Sequence, residues 1–172
     1  MSTAMLTSPV GVIRLWSNGE AITRLDLLDE PPGESPGESP GGLDESLRGP
    51  GTSCPVLAWA RRELEAYFAG ACGRFTVPVA GEGTPFARRV WEELRAIPHG
   101  TTISYGALAE RVGVRGGARA VGAANGRNPV PILVPCHRVI GADGSATGYS
   151  GGVWRKRVLL ELEGVGTGAW GG

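Results

Sequence analysis

The run NPVPILVPCHRVIG, residues 128 to 141, sets Cys136 directly before His137 in an otherwise apolar stretch. A thiol reacts as its thiolate, and at an unperturbed pKa of about 8.5 only a small fraction is ionised at neutral pH. An imidazole within hydrogen-bond reach, directly or through a water, raises that fraction. Adjacent residues on an extended segment point to opposite faces, so the pair cooperates only if the chain bends there or a water bridges the two. Free cysteine is more often inert packing, the reading that suits Cys54 and Cys72. Glu163 falls in the last turn of the final helical pattern, where the helix dipole disfavours a carboxylate. It is either a solvated side chain tolerated at small cost or the acceptor that orients a histidine base. His99, the other histidine, lies in a Pro-Gly turn and looks incidental.

Two further stretches could carry a site. GADGSATGYSGG, residues 141–152, is a long glycine-rich loop that ends at a helix start. Its backbone N–H groups suit a flat polar ligand on which Tyr149 could stack, or it is a plain connector. Upstream, YGALAERV and ARAVGAAN read as two short helices joined by the turn GVRGG, a helix-turn-helix pattern. The second helix carries small side chains, Ala120, Ala123 and Ala124, with Val121 as its anchor and Arg119 as its one long side chain. Such a helix can approach a nucleic-acid groove closely or pack as an ordinary short helix with a surface arginine. Residues 1–84 hold 6 Arg against 11 Asp/Glu, whereas residues 85–172 hold 10 Arg and 1 Lys against 6. That asymmetry tips the helix pair towards DNA.

The surrounding elements follow from periodicity and punctuation. AMLT, VIRLWS and AITRLDLL alternate around the turns SPVG and NGE, predicting a meander. Residues 30–52 repeat PGES imperfectly and have little to bury, predicting a mobile loop. SCPVLAWARRELEAYFAG reads as a helix with Pro55 in its first turn and a stop at Gly70, its stripe being Val56, Leu57, Ala60, Leu64, Tyr67 and Phe68. RFTVPVA reads as a strand that Pro78 confines to an edge. Thr84 caps a helix whose apolar face is Phe86, Val90, Leu94 and Ile97, with Arg88/Glu92 and Arg89/Glu93 paired on the other side. Ser104 caps the first helix of the pair, Gly164 stops the last helix, and the tail through Trp170 is expected to fray. The chain thus divides into a sheet-and-helix domain, 1–83, and a mainly helical domain, 84–172, an α/β (α+β) protein.

The 172 residues support a real core, and 41% apolar with 20% charged residues place the chain among globular proteins. No apolar run has the length of a membrane span, and the N-terminus lacks a signal-peptide layout. Three widely spaced cysteines and two histidines give no disulfide framework and no paired metal motif. No metal and no membrane partner are expected, and the location expected is the reducing cytoplasm.

NPVPILVPCHRVIGADGSATGYSGG, with ISYGALA and ARAVGAAN, closely resembles the O6-alkylguanine-DNA alkyltransferases, the methylated-DNA–protein-cysteine methyltransferases. The likeness spans roughly residues 84–164; the N-terminal half matches only in outline, as a variable domain of ribonuclease-H-like type, and the PGES insert is outside the family pattern. The resemblance implies direct-reversal repair of double-stranded DNA. An O6-alkylguanine is flipped out, and its alkyl group passes irreversibly to Cys136 in a single turnover without cofactor. It implies that His137 activates Cys136 through a water, that Glu163 orients His137, and that Asn128 braces the nearby turn. Tyr105 assists the leaving guanine and contacts the phosphate. Arg119, flanked by Ala118 and Ala120, fills the vacated stack from the minor groove, and Tyr149, Ser150, Gly151 and Val139 wall the guanine pocket. A monomer is expected. The competing readings are a non-enzymatic reader of alkylated DNA, against which Cys136 argues, a transcription factor, and a thiol hydrolase.

Overall fold

The computed structural model describes residues 1–29 and 54–166. The PGES run and the last residues, including Trp170, lie outside them. The chain forms two compact units, Met1–Ala80 and Gly81–Gly172.

The first unit is built on an antiparallel meander of β1 (Ser2–Ser8), β2 (Gly11–Ser17) and β3 (Ile22–Leu28), in the order β1-β2-β3. Leu6 pairs with Ile13, and Leu15 with Leu25, so alternation puts these side chains in one core. Helix α1 (Pro55–Phe68) starts with proline and is followed by Gly70 at φ 77°, a left-handed stop that favours glycine. It buries Val56, Leu57, Ala60, Leu64 and Tyr67. The strand expected over RFTVPVA does not form. Only Val79 bridges Ile22, with Ile22 donating to Pro78 and Ala80 donating to Ile22. The carboxylate of Glu63 instead accepts the backbone N–H groups of Thr76 and Val77, at 3.0 and 3.1 Å. A side chain on α1 thus satisfies donors that a strand neighbour would have taken.

The second unit begins three residues before Thr84. A Cβ at Gly81 would lie 2.4 Å from Pro129, and one at Gly83 2.3 Å from the Trp91 ring, so these glycines permit close packing inside this unit. Helix α2 (Pro85–Arg95) is capped by Thr84, whose hydroxyl accepts from Ala87 N at 3.1 Å. Its buried face is Ala87, Val90, Trp91 and Leu94, followed by buried Ile97; Phe86 is only half-buried. The stripe is rotated from the expected one because Trp91 turns inward and donates Nε1–H to the Ala124 carbonyl at 2.9 Å. Arg89 is not paired with Glu93: its guanidinium donates to the Val112 carbonyl at the end of the next helix, where a cation is favoured.

Short β4 (Ile103–Ser104) leads into α3 (Tyr105–Arg111), where Ser104 Oγ accepts from Ala107 N at 3.1 Å. A turn with Gly113 and Gly116 at φ 80° and 79° leads to α4 (Ala118–Gly126). The α3–turn–α4 pair is the expected helix-turn-helix. Residues 136–138 form one turn of 3-10 helix and continue into β5 (Val139–Ile140), which runs parallel to β4. Helix α5 (Val153–Leu162) ends before Gly164 at φ 79°. Among the described residues, no helix is long and apolar enough to cross a membrane.

Candidate active site

The bend required at Cys136 exists. Two devices shape the approach to it. Asn128 Oδ1 accepts from Val130 N at 3.0 Å, and its Nδ2 donates to the Val134 carbonyl at 2.8 Å, stapling the loop across its base. Within that loop Ile132 adopts φ 73°, a left-handed conformation costing a β-branched residue roughly 1–3 kcal/mol, and it persists because the surroundings determine it. Cys136 N then donates to the Val134 carbonyl, opening the 3-10 turn. Pairing of β5 with β4 fastens the turn's far end beside Ser104 and hence Tyr105.

His137 and Glu163 meet. His137 Nε2 lies 3.0 Å from Glu163 Oε2, with both side chains fully buried. Burial pushes the Glu163 carboxyl up, but His137 and Arg138 outweigh it and hold it at about 2. An ionised carboxylate only accepts, so Nε2 carries the hydrogen and Nδ1 is the basic lone pair. Burial also pushes His137 down, despite the pull of Glu163, so the ring is neutral near pH 7. Nδ1 is buried without a hydrogen-bond partner among the described protein atoms. Arg138, absent from the sequence expectations, completes the cluster. Its Nε donates to Glu163 Oε1 at 2.8 Å and its Nη1 to the Ile97 carbonyl at 2.7 Å, while Nη2 forms a second link to Oε1.

Cys136 is 1% exposed and makes no direct hydrogen bond to the imidazole. Burial raises its thiol to about 11, against the opposing influence of the Asn128 amide, the Lys156 charge and the Tyr149 hydroxyl. Desolvation therefore outweighs the neighbouring groups that favour the thiolate. Lys156, the chain's single lysine, is fully buried. It donates to the Thr147 carbonyl at 2.8 Å and also to those of Val139 and Gly148, tying the glycine-rich loop to β5. Burial lowers Lys156 to about 8, partly offset by Cys136. Sequence reasoning missed Lys156; its signal was a lone lysine, in a chain otherwise using arginine, within a helix facing the motif.

Tyr105 is half-buried, donates to the Thr147 carbonyl at 3.2 Å and lies beneath Lys156, whose Nζ is 5.9 Å from the ring centroid. Burial and the neighbouring cysteine raise its hydroxyl. A cavity of about 230 Å³ is walled by Tyr105, Gly122, Asn125, Gly148, Tyr149 and Ser150, among others. Neither Val139 nor Gly151 is part of that wall: Val139 is buried and offers its carbonyl to Lys156, and the Gly151 carbonyl accepts from Arg155. Arg119 and Ala120 are exposed at the start of α4, with Ala118 half-buried. Arg111, Arg115 and Arg127 are also exposed along this helix pair, whereas Arg138 and Arg155 are buried. Among the described residues, no cluster of His, Cys, Asp and Glu could hold a metal ion.

The fold and site are those of a protein that presents a buried cysteine beside a helix-turn-helix. Residues 85–165 match the family model described as the 6-O-methylguanine DNA methyltransferase DNA-binding domain. The methylated-DNA–protein-cysteine methyltransferase of Mycobacterium bovis is 44% identical over 160 residues, 92% of this chain and 89% of the relative. That of Shigella flexneri is 58% identical over 103 residues, 59% of this chain and 60% of the relative. The crystal structure of Mycobacterium tuberculosis OGT in complex with DNA superimposes with a TM-score of 0.75 at 44% identity, covering 94% of this chain and 91% of that one. The chain belongs to the methylated-DNA–protein-cysteine methyltransferase family.

Proposed function

We propose that this protein repairs DNA by direct reversal, moving the alkyl group of an O6-alkylguanine onto Cys136. The observation that carries the reading is the buried Cys136–His137–Glu163 arrangement beside the cavity. Support for DNA as partner comes from the Mycobacterium tuberculosis relative, solved in complex with DNA. Inside a stacked pair the alkylated oxygen is out of reach, so the nucleotide leaves the stack and enters the cavity at a cost of a few kcal/mol. Arg119, exposed at the start of a helix with small side chains, holds the gap from the minor groove.

In the cavity the sulfur attacks the alkyl carbon in line with the carbon–oxygen bond. The S–C bond forms as the C–O6 bond breaks, and the electron pair of the broken bond leaves with guanine. The thiol proton passes to His137 Nδ1, directly or through one water, and the resulting imidazolium is stabilised by Glu163. Tyr105, kept protonated by burial, is the donor suited to the departing base once its hydroxyl turns from the Thr147 carbonyl. The thioether has no route back, so each chain acts once and needs no cofactor. Asn128 holds the cysteine loop, and Tyr149 and Ser150 line the base. The protein acts as a monomer.

The test mixes protein with a duplex carrying one O6-methylguanine and measures intact mass and repaired base. A gain of one methyl group on the Cys136 peptide, with at most one equivalent repaired, is expected. Repeated turnover with unmodified protein, or binding without transfer, refutes the reading.

A further inference from the structure

The helix that carries Arg119 has little apolar bulk to hold it in place. Val121, Ala124 and Asn125 are the buried side chains of α4, and Val121 is its one sizeable apolar anchor. Small residues interdigitate weakly with a neighbouring helix, so packing alone leaves the tilt of α4 loosely specified. A directional contact supplies what is missing. Trp91, 8% exposed on α2, donates its indole Nε1–H to the Ala124 carbonyl at 2.9 Å. The last carbonyls of a helix lack intrahelical donors, and Ala124 shares its carbonyl between this indole and the Arg127 N–H, at 3.2 Å. The ring is fixed from behind by the close approach of Gly83, where a Cβ would lie 2.3 Å away. A phenyl ring would serve for burial alone; the N–H is what an indole adds. On the same helix Arg89 donates to the Val112 carbonyl that closes α3. Helix α2 thus holds both helices of the pair by acceptors at their C-terminal ends.

We infer that Trp91 is a positioning residue for repair in duplex DNA: its N–H bond to Ala124 sets the tilt of α4 and thereby the place of Arg119 at the other end of that helix. The inference rests on the repair reading above and on the gap-filling role given there to Arg119. Asn125, the next residue along, donates its Nδ2 to the Cys136 carbonyl at 3.3 Å. The C-terminal end of α4 is therefore referenced to α2 and to the cysteine turn at adjacent positions, while Arg119 and Ala120 stand exposed at its start. Arg119 and Ala124 lie about 7.5 Å apart along the helix axis, so a tilt of about 10° about the anchored end moves Arg119 by about 1.3 Å. A misplacement of about 1 Å can cost a reaction about a hundredfold. The rotatable arginine stem absorbs part of such a shift, which leaves a loss of about tenfold. The cysteine turn keeps its own bonds to Asn125 and Asn128, so a substrate that needs no extrusion is spared.

Full-length Trp91→Phe, which keeps an aromatic ring and removes the donor, is compared with wild type for transfer from an O6-methylguanine duplex and from free O6-benzylguanine. Duplex repair is expected to slow by about tenfold, and transfer from the free base by no more than about twofold. Because the effect passes through Arg119, adding Trp91→Phe to Arg119→Ala should slow duplex repair by less than about twofold further. Should phenylalanine leave a void that prevents folding, benzothienylalanine in place of Trp91, with sulfur replacing the N–H in a ring of the same shape, serves the same comparison. Unchanged duplex repair, equal slowing of both substrates, or a full tenfold loss in the Arg119→Ala background overturns the assignment. Absence of transfer by the wild type from both substrates refutes the repair reading itself, so the two failures are distinct.

Discussion

Replacing Glu163 with glutamine tests whether the carboxylate is the electrostatic keystone of the site. Glu163 sits between His137 and Arg138 with its side chain fully buried. Its carboxyl is held at about 2, against an unperturbed 4.5. Linkage converts that depression into about 3 kcal/mol of stability at neutral pH. The sign follows from the depressed value: the contribution is complete above the unfolded pKa and disappears as pH falls through the folded one. Glutamine also leaves the Arg138 guanidinium, 4% exposed, buried without a counter-ion. Breaking a buried pair in this way costs about 3–5 kcal/mol, in agreement with the linkage figure. Urea unfolding of wild type and Glu163→Gln should thus differ by about 3 kcal/mol at pH 7, by about 1 kcal/mol at pH 3, and converge near pH 2. A gap below about 1 kcal/mol at pH 7, within the range of an exposed pair, refutes the reasoning, as does a gap that ignores pH.

Two further outcomes probe the positioning of the thiol and the DNA contact. Lys156→Met removes the donor shared by the carbonyls of Val139, Thr147 and Gly148 and, near neutral pH, the cation that favours the Cys136 thiolate; benzyl transfer from free O6-benzylguanine at pH 7 should slow by about tenfold or more. An unchanged rate counts against this role. Arg119→Ala should slow repair of a duplex substrate much more than transfer from the free benzylated base, measured by methyl or benzyl incorporation; equal slowing of both counts against a gap-filling side chain.

Local signals carried far in this chain. Thr84 and Ser104 cap helices as their spacing predicts, and Gly70 and Gly164 end them, because caps and stops depend on neighbours within a few residues. Cys136, His137 and Glu163 were also legible: two are adjacent, and the third broke the dipole rule for its position. What stayed hidden were partnerships between remote segments. Arg138 carries no mark that it would reach both Ile97 and Glu163. Lys156 shows its charge in the sequence, but its acceptors come from β5 and the glycine-rich loop. The strand expected over RFTVPVA failed for the same reason, since the competing acceptor, Glu63, lies on α1. The ionisation of Cys136 was read from its neighbour's chemistry, whereas burial, a property of the whole fold, determined it.

That burial bears on the selectivity of the single transfer proposed for Cys136. Raising the thiol from 9.0 to about 11 lowers the thiolate fraction near neutral pH roughly a hundredfold. A more basic thiolate is also a better nucleophile, but with a Brønsted slope of about 0.4–0.5 this recovers only about tenfold. The free protein is therefore expected to react slowly with alkylating agents in solution, by electrostatics as well as by exclusion. The penalty falls when an electrophile occupies the cavity and the proton can leave to His137 Nδ1 as the S–C bond forms, since no isolated thiolate need then accumulate. A chain that can act only once gains more from this arrangement than from a thiol ionised at rest, because every reaction away from DNA would spend the whole molecule.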